Sequence, residues 1–312
     1  MISENKILAH LARGKKPVTA DVFITDYCNN KCPYCTYERY GTHTGTNMTL
    51  EQFKANITRV REWGVKGVIL TGGGEPTVNP DFKAITEWLE QENIAYGINT
   101  NFNKYFEFSP KYLKVSLDAW DEDSYKAARG VHAYQKTVEN IKRYADFKKR
   151  TGGSTRLGIQ MCVTNPDDIL RFYEANKSLP VDYIVFRPIE STRCSYYRDK
   201  KNGRVVPSII EQLRIISDED NRVKINYKWY ELDKSFDECL AHWSQVAMNE
   251  LGELIYCCHK PYEKICHVLE TDAKERYYQS VTDISMCDVP CRLTGPNKQL
   301  EEILSIEESE FL

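Results

Sequence analysis

Short, β-branched apolar runs alternate along the chain, as far as residue 190, with longer segments whose apolar residues recur at helical spacing. These runs predict six strands, at residues 18–25, 65–71, 94–99, 112–117, 156–163 and 183–187. Helices are predicted after Thr49, which opens a capping-box sequence, and after Asn79-Pro80. Further helices are predicted over 124–150, with an interruption near Arg129-Gly130, and over 167–178. Strand and helix alternate about six times, an order typical of parallel βαβ units and of an α/β fold.

The pattern changes after Glu190. Beyond it, the sequence predicts a helix near 208–216, a strand-like run over 223–230 and an acidic amphipathic helix at 299–312. We therefore predict a first domain at 1–190, with its core at 18–190, and a smaller C-terminal α+β domain at 191–312.

The amino-acid composition is that of a globular protein without a membrane-spanning segment. The 312 residues are 41% hydrophobic and 28% charged, and no apolar stretch approaches the roughly 20 residues that span a bilayer. We therefore expect no membrane span and a cytoplasmic location. A net charge of −3 gives no overall electrostatic footprint for nucleic acid. Eleven cysteines with no export signal indicate a reducing compartment and metal or redox use.

The densest chemistry lies at Thr25 to Tyr37, which reads T-D-Y-C-N-N-K-C-P-Y-C-T-Y. Cys28, Cys32 and Cys35 stand at C-x-x-x-C-x-x-C spacing, directly after the first predicted strand. Three thiolates suit a 4Fe-4S cluster whose fourth iron stays open to a small molecule. A structural zinc ion would require a fourth ligand, and a disulfide framework does not suit a reducing compartment.

A second motif follows the second predicted strand. Residues 71–76 read T-G-G-G-E-P, in which Gly73 and Gly74 let backbone approach a ligand and Glu75 offers a carboxylate to an ammonium group. A glycine-rich turn is weak evidence alone, but about 40 residues after the cysteine motif it supports the same interpretation.

Together these two motifs resemble those of the radical S-adenosylmethionine (radical SAM) superfamily, including aromatic Tyr34 just before the last cysteine. The resemblance covers residues 18–190 and implies a partial (β/α)6 barrel. It also implies that the methionine amine and carboxylate of SAM chelate the open iron, and that reduction releases a 5′-deoxyadenosyl radical. A reductant such as flavodoxin or ferredoxin is an implied partner.

The same resemblance implies the cofactor contacts. Gly73, Gly74 and Glu75 would receive the methionine amine, and Tyr34 would lie against adenine. Ser116 and Asp118, at the end of the fourth predicted strand, would contact the ribose; both residue types also favour turns, so a simple capping role stays open.

Cysteines return in the C-terminal segment. Cys239, Gly252, Cys257 and the pair Cys287 and Cys291 resemble the auxiliary-cluster domain called twitch, a shortened SPASM domain. Gly252 would turn a hairpin that brings Cys257 beside Cys239, and four thiolates would hold a second 4Fe-4S cluster. Zinc bound by the same cysteines is the alternative. The remaining cysteines are expected to be spare, buried or incidental: Cys162, Cys194, Cys258 and Cys266.

These features predict an enzyme that takes hydrogen from a substrate carbon, with the auxiliary cluster accepting an electron to give dehydrogenation or a cross-link. The substrate class stays open between a small molecule, a sugar and a peptide. An isomerase, or a modifier of a nucleotide or nucleic-acid base, is the second reading. A zinc-containing binding module is the third, and the basic and aromatic residues over 224–234 offer it little support. Residues expected to line the pocket are Arg193, Tyr196, Tyr197 and Trp229.

Overall fold

A ten-stranded sheet forms the framework of the computed structural model, which describes residues 9–11, 13–39, 44–189, 205–230, 236–287, 291 and 293–307. Along the sheet the strands follow the order β10-β9-β8-β1-β2-β3-β4-β5-β6-β7. Their bounds are β1 Thr19–Val22, β2 Gly67–Leu70, β3 Ala95–Thr100, β4 Tyr112–Ser116, β5 Arg156–Val163, β6 Tyr183–Pro188, β7 Val223–Ile225, β8 Gln245–Met248, β9 Glu253–Ile255 and β10 Lys264–His267.

Strands β1 to β6 are the six that the sequence predicts. They lie side by side in chain order, and every pair is parallel. The described helices are α1 Thr36–Arg39, α2 Leu50–Trp63, α3 Phe82–Gln91, α4 Glu122–Arg129, α5 Tyr134–Thr151, α6 Asp168–Asn176, α7 Val205–Glu219, α8 Ala273–Gln279 and α9 Thr294–Glu307. This alternation of parallel strands and helices is the expected partial (β/α)6 barrel.

Successive side chains along each strand point alternately into the hydrophobic core beneath the helices and into the inside of the barrel. On one face, apolar residues such as Val22, Leu70 and Ile159 join a buried core with helix residues such as Phe53 and Phe172. Neighbouring residues point to the opposite face, as the period of two requires. That opposite face carries polar side chains, so it can hold a ligand rather than complete the core.

Helix ends follow the sequence closely, with one exception. Thr49 and Gln52 form the predicted capping box at the start of α2. Asn79, however, does not cap α3, which begins at Phe82, two residues later than predicted, with Asp81 at its N-cap. The Asn79 amide instead donates to the backbone carbonyls of Ile24 and Met48, because it is buried beside the end of β1.

The C-terminal segment extends the same sheet at both edges. β7 pairs with β6, and β8 pairs in parallel with β1 before the β8–β9 hairpin turns back. Gly252 lies in that turn at φ +79°, and a Cβ there would lie 2.7 Å from the Asn56 amide nitrogen. The division into domains at residue 190 therefore stays a prediction, set within one continuous sheet. Among the described helices, none is long and apolar enough to cross a membrane.

Candidate active site

The cysteine loop leaves the C-terminal end of β1 and is anchored by Asp26. Its Oδ1 accepts a hydrogen bond from Thr46 N at 2.7 Å, and its Oδ2 accepts one from Thr44 N at 2.7 Å. Thr25 also forms an isolated β-bridge with Asn47. These contacts fix the backbone immediately before the three cysteines.

The three thiols lie close enough to influence one another. Burial raises the pKa of the Cys28 thiol to about 12, and the nearby Glu75 carboxylate, Cys32 and Cys35 add to that shift. Backbone N–H of Asn30 donates to Cys28 Sγ at 3.4 Å. A thiol with this pKa is protonated at neutral pH, so a bound cation must displace its proton. Three half-buried thiols are soft donors of the kind that ligate an iron-sulfur cluster.

Gly73 and Gly74 are packed against the cysteine loop. Gly74 N donates to Thr25 O and Glu75 N donates to Tyr27 O, each at 2.8 Å. A Cβ on Gly74 would lie 1.9 Å from Tyr27 O, and Gly73 has φ +84°. The close approach that these glycines permit is therefore between two loops of the chain. Their contact with a cofactor stays a prediction.

Glu75 is buried and held from several sides. Its Oε1 accepts hydrogen bonds from Thr77 N at 3.1 Å, Thr77 Oγ1 at 2.7 Å and Thr100 Oγ1 at 2.5 Å. Its Oε2 accepts one from Asn101 N at 2.6 Å. Burial raises the carboxyl pKa, and these hydrogen bonds oppose the shift. Since a carboxylate oxygen accepts about two hydrogen bonds, Oε2 retains capacity for another donor.

A buried asparagine network, which the sequence analysis missed, ties the cysteine loop to the end of β3. Asn101 Nδ2 donates to Asn29 Oδ1 at 2.6 Å, and Asn103 Nδ2 donates to Asn30 Oδ1 at 2.8 Å. Tyr125 OH then donates to Asn103 Oδ1 at 2.7 Å. The only signal in the sequence is the alternation of asparagines at 99, 101 and 103.

A second network surrounds Asp118, at the end of β4. Asp118 Oδ2 accepts a hydrogen bond from Tyr34 OH at 2.9 Å, and Asp118 also forms an ion pair with Arg129. Asp118 Oδ1 accepts one from Cys162 N at 2.6 Å. Burial raises the pKa of Tyr34 well above its usual value, and the Asp118 charge adds to this. The Asp118 carboxylate and the Tyr34 hydroxyl are therefore directly linked. The backbone of Asp118 has a positive φ of +54°, which is uncommon for a residue other than glycine.

Arg129 is the second functional candidate that sequence reasoning missed. It is buried at the end of α4, where its Nη1 donates to Cys32 Sγ at 3.4 Å and its Nη2 donates to Ser116 O at 2.6 Å. Gly130, which follows, would place a Cβ 2.5 Å from Lys31 O. The break between α4 and α5 was predicted at these two residues, and its cause is this close approach to the cysteine loop.

The lower part of the barrel is filled by two tyrosines. Tyr112 lies opposite Gly97 and Tyr183 lies opposite Gly158 on neighbouring strands. A Cβ on either glycine would lie about 2 Å from the facing ring, at 2.1 Å and 2.2 Å. Gly158 therefore lies beneath the ring of Tyr183.

Three of the C-terminal cysteines, Cys239, Cys287 and Cys291, lie near enough to influence one another electrostatically. Burial raises the pKa of Cys239 to about 12, with Cys291 and Cys287 adding to the shift. Asn297 Nδ2 lies 3.6 Å from Cys239 Sγ, and Leu293 N donates to Cys291 Sγ at 3.4 Å.

The other C-terminal cysteines differ from one another. Cys257 and Cys239 both act electrostatically on Tyr277. Cys266 is buried and lies 3.8 Å from Ala273 O, and Cys258 packs against a small apolar cluster. Within the described residues, no group of three or more His, Cys, Asp or Glu side chains is arranged to hold a single metal ion.

Of the residues expected to line the pocket, Trp229 is buried, and its Nε1 donates to Phe186 O at 3.1 Å. Arg193, Tyr196 and Tyr197 lie outside the described residues, as does Cys194.

Comparison with known proteins gives a family for the N-terminal part of the chain. The model of the Radical SAM superfamily matches residues 22–175. A GTP 3',8-cyclase of Psychromonas ingrahamii is 23% identical over 190 residues, which are 58% of this chain and 53% of that protein. The matched region thus spans about half of that relative.

Two solved structures share the fold over most of the chain. SuiB of Streptococcus suis, bound to precursor peptide SuiA, has a TM-score of 0.63 at 15% identity, covering 88% of this chain and 68% of SuiB. The protein anSMEcpe with bound AdoMet has a TM-score of 0.62 at 17% identity, covering 85% of this chain and 80% of that protein.

Proposed function

Because the chain belongs to the radical SAM superfamily, we propose that Cys28, Cys32 and Cys35 hold the 4Fe-4S cluster that binds SAM. The observation that supports this proposal is that Cys32, Cys35 and the buried Glu75 carboxylate lie near enough to Cys28, at the ends of β1 and β2, to raise its pKa. The chemistry that such a cluster supplies is reductive cleavage of SAM to methionine and a 5′-deoxyadenosyl radical.

The chain's own residues then have distinct tasks. Glu75 receives the methionine ammonium at Oε2, which accepts one hydrogen bond from within the chain. The backbone N–H groups of Gly74 and Glu75 hold that carboxylate against the cysteine loop through their hydrogen bonds to Thr25 O and Tyr27 O, and Gly73 provides the positive φ of the turn. The Thr77 and Thr100 hydroxyls keep the Glu75 side chain in one orientation.

The Asp118 network orients the adenosine side of the site. Tyr34 lies against adenine in this proposal, and Asp118 sets its position through the 2.9 Å hydrogen bond. Ser116 contacts the ribose from the end of β4. Arg129 places a positive charge beside Cys32 Sγ, where it offsets the negative charge of a ligating thiolate.

We assign the overall reaction to oxidation of a substrate carbon, with an auxiliary 4Fe-4S cluster at Cys239, Cys257, Cys287 and Cys291 taking up the electron. The support for the auxiliary site is that Cys239, Cys287 and Cys291 lie near enough to one another for their charges to raise the pKa values of Cys239 and Cys291. The similar fold of SuiB, which was solved with a precursor peptide, favours a peptide substrate.

A redox-neutral change to a nucleotide is the second candidate. The observation in its favour is the sequence similarity to proteins named GTP 3',8-cyclase, at 23–29% identity. GTP is therefore a necessary test compound.

Metal analysis followed by product analysis tests the proposal. Anaerobically reconstituted protein should hold about eight iron atoms, two cubes of four. Removing the first three cysteines should leave about half of that iron. We then expect dithionite, SAM and peptide fractions from the producing cells to yield a product lighter by two hydrogen atoms. Stoichiometric zinc with one cube would overturn the auxiliary-cluster assignment, and conversion of GTP without net oxidation would favour the second candidate.

A further inference from the structure

One side chain joins the two groups of cysteines directly. Tyr37 lies in α1, which begins one residue after Cys35. Its hydroxyl donates a hydrogen bond to the backbone carbonyl of Cys258, 221 residues further along the chain. Cys258 is covalently adjacent to Cys257, a proposed ligand of the auxiliary cluster. One residue therefore separates Tyr37 from Cys35, and none separates Cys258 from Cys257.

The surroundings of Tyr37 leave the ring little freedom. It packs edge-on against Phe23 with the ring centroids 5.4 Å apart. On another side, a Cβ added to Gly72 would lie 3.1 Å from the ring. Phe23, Ala247 and Ile255 form a small buried cluster, against which both Tyr37 and Cys258 pack. Because the ring is confined, its hydroxyl can transmit a change in α1 to the Cys258 backbone.

We infer that Tyr37 is a positioning residue that couples assembly of the two cysteine sites. Binding of iron at Cys35 fixes the start of α1, the confined ring of Tyr37 fixes the Cys258 carbonyl, and Cys257 is thereby held in place for its own ligand. Such coupling is reciprocal by thermodynamic linkage. This inference rests on the proposed function, since it takes both cysteine groups as cluster sites.

The hydrogen bond from the Tyr37 hydroxyl to the Cys258 carbonyl sets the size of the expected coupling between the two sites. A net contribution of about 1 kcal/mol corresponds to roughly a fivefold change in an equilibrium constant. Filling the first site should therefore raise the apparent iron affinity of the second site by about fivefold. A tyrosine that only filled space would keep this coupling after loss of its hydroxyl.

The test compares Tyr37→Phe with Tyr278→Phe. The control also removes a tyrosine hydroxyl that donates a hydrogen bond to a backbone carbonyl. The Tyr278 hydroxyl donates to Lys15 O at 3.3 Å, and this hydrogen bond also connects segments that are far apart in the sequence. Each variant is made with the first site intact and with Cys28, Cys32 and Cys35 all changed to Ala. Iron affinity and the electron paramagnetic resonance spectrum of the auxiliary cluster are measured in all four proteins and in the two parents.

We expect loss of the first site to weaken auxiliary iron binding about fivefold in the parent and in Tyr278→Phe, and not in Tyr37→Phe. An equal loss in all three backgrounds would overturn the inference while leaving the proposed function intact. A parent protein that binds no second cluster would overturn both.

A second measurement keeps Tyr37 unaltered, so its result does not depend on whether the Tyr37→Phe variant folds correctly. With Cys287 and Cys291 changed to Ala, so that the auxiliary site stays empty, iron at the first site should slow amide hydrogen exchange at residues 255–260. Unchanged exchange in that segment would contradict the coupling independently of any change at Tyr37.

Discussion

Gly74 offers a direct test of how the glycine loop and the cysteine loop fit together. A Cβ at this position would lie 1.9 Å from Tyr27 O and 2.4 Å from its carbonyl carbon. Both contacts are with backbone, so no side chain can rotate away. Gly74→Ala must therefore separate the two loops.

The cost can be estimated from the contacts that such separation breaks. Two hydrogen bonds join the loops at 2.8 Å, from Gly74 N to Thr25 O and from Glu75 N to Tyr27 O. At about 1 kcal/mol each, with a further 1–3 kcal/mol for overpacking, the free energy of unfolding should fall by about 3–5 kcal/mol. In a chain of this size that corresponds to a fall in Tm of roughly 6–10 °C.

Thermal unfolding of the iron-free protein measures this effect, and Gly153→Ala is the matched control. A Cβ on Gly153 would meet atoms no closer than 3.4 Å. We expect the control to lie within about 2 °C of the parent, as for most exposed substitutions. If Gly74→Ala melts together with Gly153→Ala, the close packing of the two loops is refuted.

Three further perturbations follow from the site. Glu75→Gln should weaken SAM binding about tenfold or more, because a hydrogen bond to a charged group contributes about 1.5–3 kcal/mol. Isothermal titration measures the SAM affinity, and iron analysis should show an unchanged iron content. Arg129→Met leaves the Asp118 charge buried without its ion-pair partner, so the protein should lose about 3–5 kcal/mol in urea unfolding, and the added change Asp118→Asn should restore part of the loss. Iron uptake should accelerate as pH rises from 6 to 8, since the thiolate fraction of Cys28, whose pKa lies near 12, grows about tenfold per pH unit. Pseudo-first-order uptake rates measure this, and a rate that falls with pH would contradict the assignment.

Local features of the structure were predictable because their causes are local. The six strands of the barrel carry β-branched apolar runs, and the Thr49 capping box involves residues three positions apart. Gly252 was recognised as a turn residue through the resemblance of the C-terminal segment to a twitch domain. The radical SAM motifs were recognised because each lies within about a dozen residues.

Contacts between distant segments were not predictable in the same way. Arg129 reaches Cys32 across 97 residues, and the Asn103–Asn30 hydrogen bond spans 73 residues. Nothing in the local sequence distinguishes these side chains from solvated ones. The pairing of β8 with β1 is a further case, since β8 has four residues, all buried, without alternation.

The role of Gly74 shows a different limit. Its sequence context indicated a backbone position that must come close to something, and the structure identifies the neighbour as Tyr27 O. A glycine in the sequence indicates that another group must come close to the backbone, but it does not indicate which group that is. The same holds for Gly158, which lies beneath Tyr183.

The central claim, that Cys28, Cys32 and Cys35 hold the cluster that cleaves SAM, is tested most directly by counting SAM cleavage products. Reconstituted protein, SAM and dithionite are incubated without oxygen, and 5′-deoxyadenosine and methionine are quantified by mass spectrometry. We predict equal amounts of the two products from the parent protein, and none above background when all three cysteines are changed to Ala. Formation of 5′-deoxyadenosine at the parent's rate by the triple variant would contradict the account.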